Sequence, residues 1–447
     1  MVRPITVTLR LLLLSLVAIA PIQATVIGTS KPAESITAER IAQLPKKDRA
    51  AWSAYLQRSQ KQRLADQAAL AAERTPGAPE PPIAKESFAA RSMPLDRTPD
   101  WYATPEARHT ADVIVSFQTP AGGWSKNLDM STTPRQRGQA YTTDNISKHL
   151  GPDDFDTPRD PHWNYVGTLD NDATTTQLRF LTLVSAATPG PEGDPYRASF
   201  LRGIRYLLAS QFPNGGWPQV WPLEGGYHDA ITFNDNAVTQ AAELLTAVST
   251  GTGKYAFVPA DLRKQAAASA DRALVNILAT QVIIHGHPTI WAQQHDALTL
   301  APAAGRNFEP VALASGESAD ILLFLMHLPN PSPQVVASIH AVAAWLKNAS
   351  IYGEDWTGGR NTPGGRHLEA KPGAGPIWAR YYSIETGKPI FGDRDKTIHN
   401  DVNDLSLERR NGYAWYGTGP QQALAAYADW RKTHAAASLT PQASNHA

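Results

Sequence analysis

The stretch SQFPNGGWPQVWPLEGGYHDAITFNDNAVTQ, residues 210–240, holds the pattern on which the fold prediction rests. It is rich in Gly, Pro, Asn and Trp, and helical patterns border it on both sides, which is typical of a long functional loop that runs into a helix. Where that helix starts stand Asn234, Asp235 and Asn236. Asp and Asn at a helix start cap free backbone N–H groups, but their oxygens also suit a hard cation. The stretch by itself leaves both roles open.

Part of this loop has a counterpart earlier in the chain. FQTPAGGW at 117–124 and QFPNGGW at 211–217 share the pattern Q-x-x-x-G-G-W, and each follows a helical pattern. Each is followed by an acidic cluster at the start of another helix, LDNDA at 169–173 and FNDNA at 233–237. The glycines permit left-handed backbone, and the Trp closes the turn by packing on the helix ends. The sequence therefore predicts a helix–loop–helix repeat with insertions of unequal length.

Repeated helical hairpins that close on themselves form a ring with its loops at one end, around a central cleft. We therefore predict a mainly α fold, an α/α toroid (an incomplete α/α barrel) with long functional loops and a few short strands. Apolar periodicity predicts a long charged helix after Pro45 and further helices at 106–117, 172–187, 195–211, 234–249, 259–278, 317–328, 332–348 and 419–431. Short strands are predicted at 231–234 and 287–294.

The ends of the chain differ from this body. Arg3 and Arg10 flank the apolar run 11–20, and Ile22-Gln23-Ala24 is a plausible cleavage signature. We predict a signal peptide at 1–24 and hence a secreted or periplasmic protein. Further segments are predicted as follows: a helical appendage with a Pro-rich linker at 25–90, the main toroid domain at 91–434, and a disordered tail at 435–447.

Composition narrows the function. Of the 447 residues 42% are hydrophobic and 18% charged, which suits a soluble enzyme with a large core. No later apolar run is long enough for a membrane span, so no membrane association is expected after signal cleavage. The absence of cysteine excludes disulfides, thiolate catalysis and cysteine metal sites. A formal net charge of zero gives no sign of nucleic-acid binding, so a polyanionic substrate would need a local basic cluster.

Two groups of charged residues are candidates for chemistry. The acidic group is Asp170, Asp172 and Asp235, which the repeat would bring to one mouth of the ring. Carboxylates with positions left open for substrate fit calcium best, and helix capping is the structural alternative.

The basic group lies on loops and consists of Lys126, Arg306, Arg380 and Arg394. Arginine is the best bidentate partner of carboxylates, and structural ion pairs are the alternative, above all for Arg394 between two aspartates.

Seven motifs in order resemble the family 10 polysaccharide lyases, the pectate lyases of the α/α-toroid type. They are FQTPAGGWSKN (117–127), TLDNDATTTQLRFL (168–181), QFPNGGWPQVWPL (211–223), ITFNDNAVT (231–239), WAQQHDALTLAPAAGRNFEPVALASGES (291–318), GPIWARYYSIETGKPIFGDRD (375–395) and ERRNGYAWYG (408–417). The resemblance covers essentially all of 100–432, and the region 25–90 lies outside the strong motifs.

The resemblance implies calcium-assisted anti β-elimination on de-esterified α-1,4-polygalacturonate by a protein expected to be a monomer. It implies that Arg306 is the base and that Asp235 binds Ca²⁺. One of Asp170 and Asp172 is expected to lie close to the reacting centre, and both are candidates for binding the cation or the substrate. Arg380 and Arg394 would hold substrate carboxylates, with Lys126 as a further substrate contact. Because arginine has a pKa above about 12, an alkaline optimum is expected.

Three other functions are compatible with parts of this pattern. Terpene cyclases share Q-x-x-x-G-x-W, but the arginine loops and the signal peptide argue against an isoprenoid substrate. A glycoside hydrolase on an α/α toroid would need an acid and a base carboxylate, for which Asp296, Glu309 and Glu317 are available although nothing singles them out. A non-catalytic binder of oligogalacturonate is the third possibility.

Overall fold

The computed structural model describes residues 25–87 and 89–434. The predicted signal peptide and the predicted tail lie outside the described residues. The described helices are α1 Ala38–Gln43, α2 Lys46–Glu73, α3 Ala89–Ser92, α4 Pro105–Phe117, α5 Thr175–Ala187, α6 Asp194–Ser210, α7 Ala237–Thr250, α8 Ala260–Thr280, α9 Ser315–Met326, α10 Pro333–Asn348, α11 Leu407–Gly412 and α12 Gly419–Thr433. The predicted helices of the body are therefore confirmed, most with ends within two residues of the prediction.

The strands are short and antiparallel. They are β1 Val26–Thr29, β2 Ile231–Thr232, β3 Ile283–Ile284, β4 His287–Pro288, β5 Gln294–His295, β6 Pro302–Ala303, β7 Leu313–Ala314, β8 Glu354–Thr357, β9 His367–Ala370, β10 Trp378–Ala379, β11 Tyr381–Tyr382, β12 Phe391–Gly392, β13 Thr397–His399 and β14 Tyr416–Gly417. The single strand predicted at 287–294 is wrong: β4 forms a hairpin with β3, whereas β5 lies between β2 and β6.

The helices form two concentric layers. Within the hairpins, α5 packs on α6, α7 on α8 and α9 on α10. Along one layer α5, α7, α9 and α12 contact each other in order, and along the other α4 contacts α6 and α6 contacts α8. One hydrophobic core runs between the layers. The predicted helical toroid is confirmed.

The glutamine–tryptophan turns join the layers. Trp124 and Trp217 are fully buried, and each donates its indole N–H to a carbonyl in the preceding helix, of Ile114 at 2.7 Å and of Leu207 at 2.8 Å. Trp291 and Trp378 repeat this bond to the ends of α8 and α10, at 2.7 Å in both cases. Trp415 makes the same kind of bond to Arg409 in α11, at 3.0 Å. Five tryptophans in the described residues are therefore bonded to the preceding helix in this way, and the Q-x-x-x-G-G-W pattern identifies two of them.

The N-terminal segment is fastened across these turns. Tyr55 of α2 donates its hydroxyl to the carbonyl of Ser210 at 2.9 Å and packs on Phe212 of the second turn. Further along α2, Ser59 accepts the N–H of Leu223 at 2.8 Å. Strand β1 pairs with β13 from the other end of the chain. The segment predicted as an appendage thus lies against the ring over much of its length.

None of the helices in the described ranges is long and apolar enough to cross a membrane.

Candidate functional site

Two equivalent left-handed turns carry the acidic clusters. Asn171 and Asp235 both have φ 50°, and Asp172 and Asn236 both have φ 59°. Asn and Asp are the residues other than glycine that adopt this conformation most readily, and such strain collects at functional sites. The chain therefore repeats a conformation as well as a sequence pattern, with Asn171 in the place that Asp235 has in the second copy.

The aspartates do not cap the helices that follow. Helix α5 begins at Thr175 and α7 at Ala237, three residues after the predicted starts, and neither receives a capping hydrogen bond from a side chain. The Asp235 carboxylate instead accepts the Asn171 backbone N–H at 3.2 Å. The side-chain amide of Asn234 donates to Asp235 at 3.0 Å and to Asp170 at 3.3 Å. The turns thus aim these two carboxylates at each other.

The paired carboxylates ionise unequally. Burial favours a raised pKa for Asp170, but the Lys126 ammonium 2.7 Å away outweighs it, so the pKa of Asp170 lies below its ordinary value. Burial and then the negative charge of Asp170 raise the pKa of Asp235 to about 7. Two carboxylates this close need a proton or a cation between them.

These carboxylates form one wall of a cleft of about 150 Å³. The remaining walls come from loops distant in sequence, and the lining is Lys126, Tyr165, Asp170, Asn171, Gln219, Tyr227, Asn234, Asp235, Gln293, Gln294, Arg306, Glu309, Arg380 and Tyr413. The structure therefore brings together five of the residues singled out in the sequence: Lys126, Asp170, Asp235, Arg306 and Arg380.

Arg306 faces this cleft from the turn after β6. Its Nη2 donates to Glu309 at 2.5 Å, and about a third of its side chain is exposed. Burial works to lower the pKa of Arg306, but the charge of Glu309 raises it well above its ordinary value. The resting guanidinium is therefore firmly protonated.

Arg380 stands between this cleft and a second hollow of about 270 Å³. Its Nη2 donates to Glu317 at 2.7 Å and to the Asn234 side-chain oxygen at 3.1 Å. Through Asn234 it is linked to the carboxylate pair. An anionic ligand that reaches the cleft would thus meet two guanidinium groups, Arg306 and Arg380.

Tyrosines line the side near Lys126. The Lys126 ammonium lies 3.4 Å from the centroid of the Tyr165 ring. The hydroxyl groups of Tyr165 and Tyr227 lie 2.7 Å apart, and both donate to the Asp156 carboxylate. The Lys126 ammonium is therefore held in place by the Asp170 carboxylate and the face of the Tyr165 ring.

Two expected site residues lie outside the cleft. Asp172 accepts a hydrogen bond from Gln240 and lines a separate hollow, because the left-handed turn directs it away from Asp170. Arg394 makes two hydrogen bonds to Glu408, at 2.9 and 3.3 Å, and it does not line the cleft. The structure does not bring Asp172 to the carboxylate pair as expected, and it gives Arg394 the ion pair that was the alternative.

The donor set of the cleft fits a hard cation. Besides the two carboxylates, it contains the side-chain oxygens of Gln219 and Gln294, which are buried and have no hydrogen-bond partner in the described chain. Calcium takes six to eight oxygen ligands, amide oxygens included. No group of three or more His, Cys, Asp or Glu suited to a metal occurs in the described residues. Amide, water or substrate oxygens would have to complete the shell.

Each carboxylate considered for a hydrolase is paired with an arginine. The pKa of Glu309 lies at about 2, because Arg306 outweighs the effect of burial, so Glu309 cannot serve as a general acid near neutral pH. Glu317 is held by Arg380, and Asp296 pairs with Arg40 of the N-terminal segment at 2.6 Å.

The fold and the cleft together define the class of protein. It is a helical toroid whose loops form a cleft lined by arginines and paired carboxylates. A sequence model of the pectic acid lyase family matches residues 118–424 of the 447. The chain therefore belongs to the pectic acid lyase family, and the protein is a polysaccharide lyase.

Two solved structures of a family 10 polysaccharide lyase from Cellvibrio cellulosa are similar. One is an aspartate-to-alanine mutant in complex with trigalacturonic acid, with a TM-score of 0.62, and the other has a TM-score of 0.61. Each is 26% identical, and each alignment covers 77% of this chain and 99% of the other. No curated protein matches the chain. The predicted family is confirmed.

Proposed function

We propose that the protein is a pectate lyase that cleaves de-esterified α-1,4-polygalacturonate by calcium-assisted anti β-elimination and releases 4,5-unsaturated oligogalacturonates. One observation carries the proposal: Arg306, Arg380 and the Asp170–Asp235 pair line one cleft. This arrangement suits a sugar that bears a carboxylate, since guanidinium groups bind carboxylates in a bidentate manner. The trigalacturonic acid bound by the Cellvibrio lyase is such a ligand.

Asp170 and Asp235 would hold the calcium ion, with Gln219 as a further oxygen donor. When bound there, calcium would supply positive charge beside the substrate carboxylate and so acidify the neighbouring C5 hydrogen. Asp172 is left out of this ligand set because it lies in the other hollow.

Arg306 acts as the base. The C5–H bond breaks and its proton goes to Arg306, while the electron pair of that bond forms the C4–C5 double bond. The C4–O4 bond breaks on the opposite face of the ring, and the departing oxygen takes a proton from water. Because an arginine with a pKa above about 12 is neutral in fewer than about one molecule in a thousand at pH 9, the rate should rise toward alkaline pH.

Arg380 holds the substrate carboxylate during this step. Its guanidinium keeps N–H groups beyond those given to Glu317 and Asn234, and the negative charge that develops on the carboxylate strengthens its hydrogen bonds. Lys126, which also lines the cleft, contributes further positive charge. We keep Arg394 as a proposed contact for a sugar unit farther along the chain, which would require it to share Glu408 with substrate.

The decisive experiment is incubation with polygalacturonate, with calcium or with excess chelator, while the ultraviolet absorbance of the unsaturated product is followed. A calcium-dependent rise is expected. New reducing ends without absorbance would indicate a hydrolase, and binding without either signal would indicate a non-catalytic binder. Full activity in excess chelator would remove calcium from the mechanism.

We further propose that the protein works outside the cytoplasm, either secreted or in the periplasm, and that it acts as a monomer. The leader-like residues 1–24 support the first proposal. N-terminal sequencing of exported protein and sedimentation analysis test the two points.

A further inference from the structure

Glu309 binds Arg306 at two places. Its Oε1 accepts the guanidinium Nη2 at 2.5 Å, and its Oε2 accepts the Arg306 backbone N–H at 2.8 Å. The turn is closed by backbone bonds from Gly305 to Glu309 at 3.0 Å and from Glu309 to Arg306 at 2.8 Å. A Cβ atom at residue 305 would lie 2.4 Å from Oε2, so only glycine leaves room for the carboxylate. The turn is built around this carboxylate.

A second element holds the carboxylate from outside the turn. Tyr413 donates its hydroxyl to Glu309 Oε1 at 2.7 Å and lies 2.8 Å from the hydroxyl of Tyr381. Glu309 itself is 3% exposed. No other hydrogen bond of the Arg306 side chain occurs in the described part of the chain, so its remaining nitrogens are open to the cleft. One edge of the guanidinium is fixed while the rest faces the ligand.

We propose that Glu309 is a positioning residue for the base, which directs the Arg306 guanidinium into the cleft and stabilises the positive charge that Arg306 acquires when it takes the substrate proton. This inference rests on the proposed function. The arrangement parallels the aspartate of a serine protease triad, which orients a histidine and stabilises its cationic form without accepting the proton itself. Glu309 would do the same for a stronger base.

The charge of Glu309 should therefore set where the pH–rate profile rises. Its carboxylate is the dominant partner that raises the pKa of Arg306. The other charged and titratable groups around Arg306 are Lys126, Asp156, Tyr165, Asp170, Tyr227, His228, Asp235, Arg380 and Tyr413, with Arg394 and Arg409 on the shared Phe308 ring. Replacing Glu309 changes none of these other side chains, so a shift of the profile is expected to report on the charge of Glu309.

The test is the pH profile of kcat for elimination by Glu309→Gln and Glu309→Asp. Loss of an opposite charge at this distance is expected to move the rising alkaline limb of Glu309→Gln to lower pH by about 1–3 units. Its maximal kcat should fall at least about tenfold, since a weaker base transfers the proton more slowly. Glu309→Asp keeps the charge but moves it farther from the Arg306 guanidinium. Its alkaline limb should therefore lie between those of the parent and Glu309→Gln, and this variant provides the test if Glu309→Gln does not fold.

Glu73→Gln is the matched control. Glu73 also pairs with an arginine, Arg135, at 2.7 Å and accepts a backbone N–H, that of Gly138, at 2.8 Å, but it lies outside the cleft. Its profile should coincide with that of the parent. A limb that stays in place in both Glu309 variants, while the parent remains an active lyase, would overturn the positioning role. A parent that makes no unsaturated product would instead refute the proposed function.

Discussion

Replacement of Asp235 by Asn should make the metal-free protein more stable at alkaline pH and abolish activity. The pKa of Asp235 is raised to about 7, so the folded protein keeps a proton that the unfolded chain releases above pH 4. The stability associated with this proton is present at low pH and is lost as the pH rises to about 7. Asn keeps an acceptor oxygen for the Asn171 N–H, carries no charge, and removes the repulsion with Asp170.

The magnitude follows from the shift. A rise from 3.8 to about 7 is about 3 units, or at most about 4 kcal/mol at 1.36 kcal/mol per unit. Part of Asp235 faces cleft water, so about 2–4 kcal/mol is expected at pH 8 in chelator. With about 2.1 cal/mol/K of unfolding entropy per residue, a chain of 447 residues should gain about 2–4 °C in Tm.

The assay is thermal unfolding of parent and Asp235→Asn between pH 4 and pH 8, with chelator or with calcium. Calcium should raise the Tm of the parent but not that of Asp235→Asn. Asp172→Asn is the control, because Asp172 lies in the same kind of turn but faces Gln240. A lower Tm for Asp235→Asn in chelator at pH 8 would refute the reasoning and return Asp235 to a structural role.

Arg306→Lys should lower kcat on polygalacturonate by at least about 100-fold at neutral pH; full activity with an unchanged pH profile would contradict the base assignment. Trp217→Phe should cost about 2–4 kcal/mol in urea unfolding, because it leaves a cavity and removes the bond to the Leu207 carbonyl. Trp430→Phe, whose indole N–H has no partner in the described residues, should cost less than half as much. Glu224→Gln should gain stability relative to the parent as the pH rises from about 4.5 to 7, because burial raises the pKa of Glu224 to about 7; equal differences at pH 5 and pH 8 would argue against it.

Local patterns predicted the ring well, because each hairpin is specified by nearby residues. Q-x-x-x-G-G-W identified two turns, but the third was missed, since Gln281 and Trp291 are ten residues apart and not six. In space Gln281 nevertheless repeats two bonds of Gln211. Each glutamine donates to a carbonyl of the turn that follows it, and each accepts from a serine hydroxyl of the next outer helix. Insertions hide a repeat from spacing while leaving its contacts intact.

Of the residues that line the candidate cleft, the sequence motifs pointed to the charged ones and not to the residues that they contact. Asp170, Asp235 and Arg306 stand in recognisable motifs and reach one cleft. Asp172 points away from Asp170 because Asn171 and Asp172 both have a positive φ. The residue types alone do not reveal this backbone conformation. Tyr165 lies on a long insertion whose path is set by tertiary contacts, and no local signal places it beside Lys126.

The pairing of β1 with β13 can form only late in the synthesis of the chain. Val26 lies opposite His399, so a ribosome must add more than 370 further residues before this strand finds its partner. At about 5–20 residues per second that takes roughly 20–75 s, during which the first strand stays unpaired. The hairpins of the ring involve short separations and can form as they emerge, whereas closure of this strand pair is reserved for an almost finished chain. Slowing translation near the 3′ end of the message would therefore lengthen the period in which β1 remains unpaired and open to proteases.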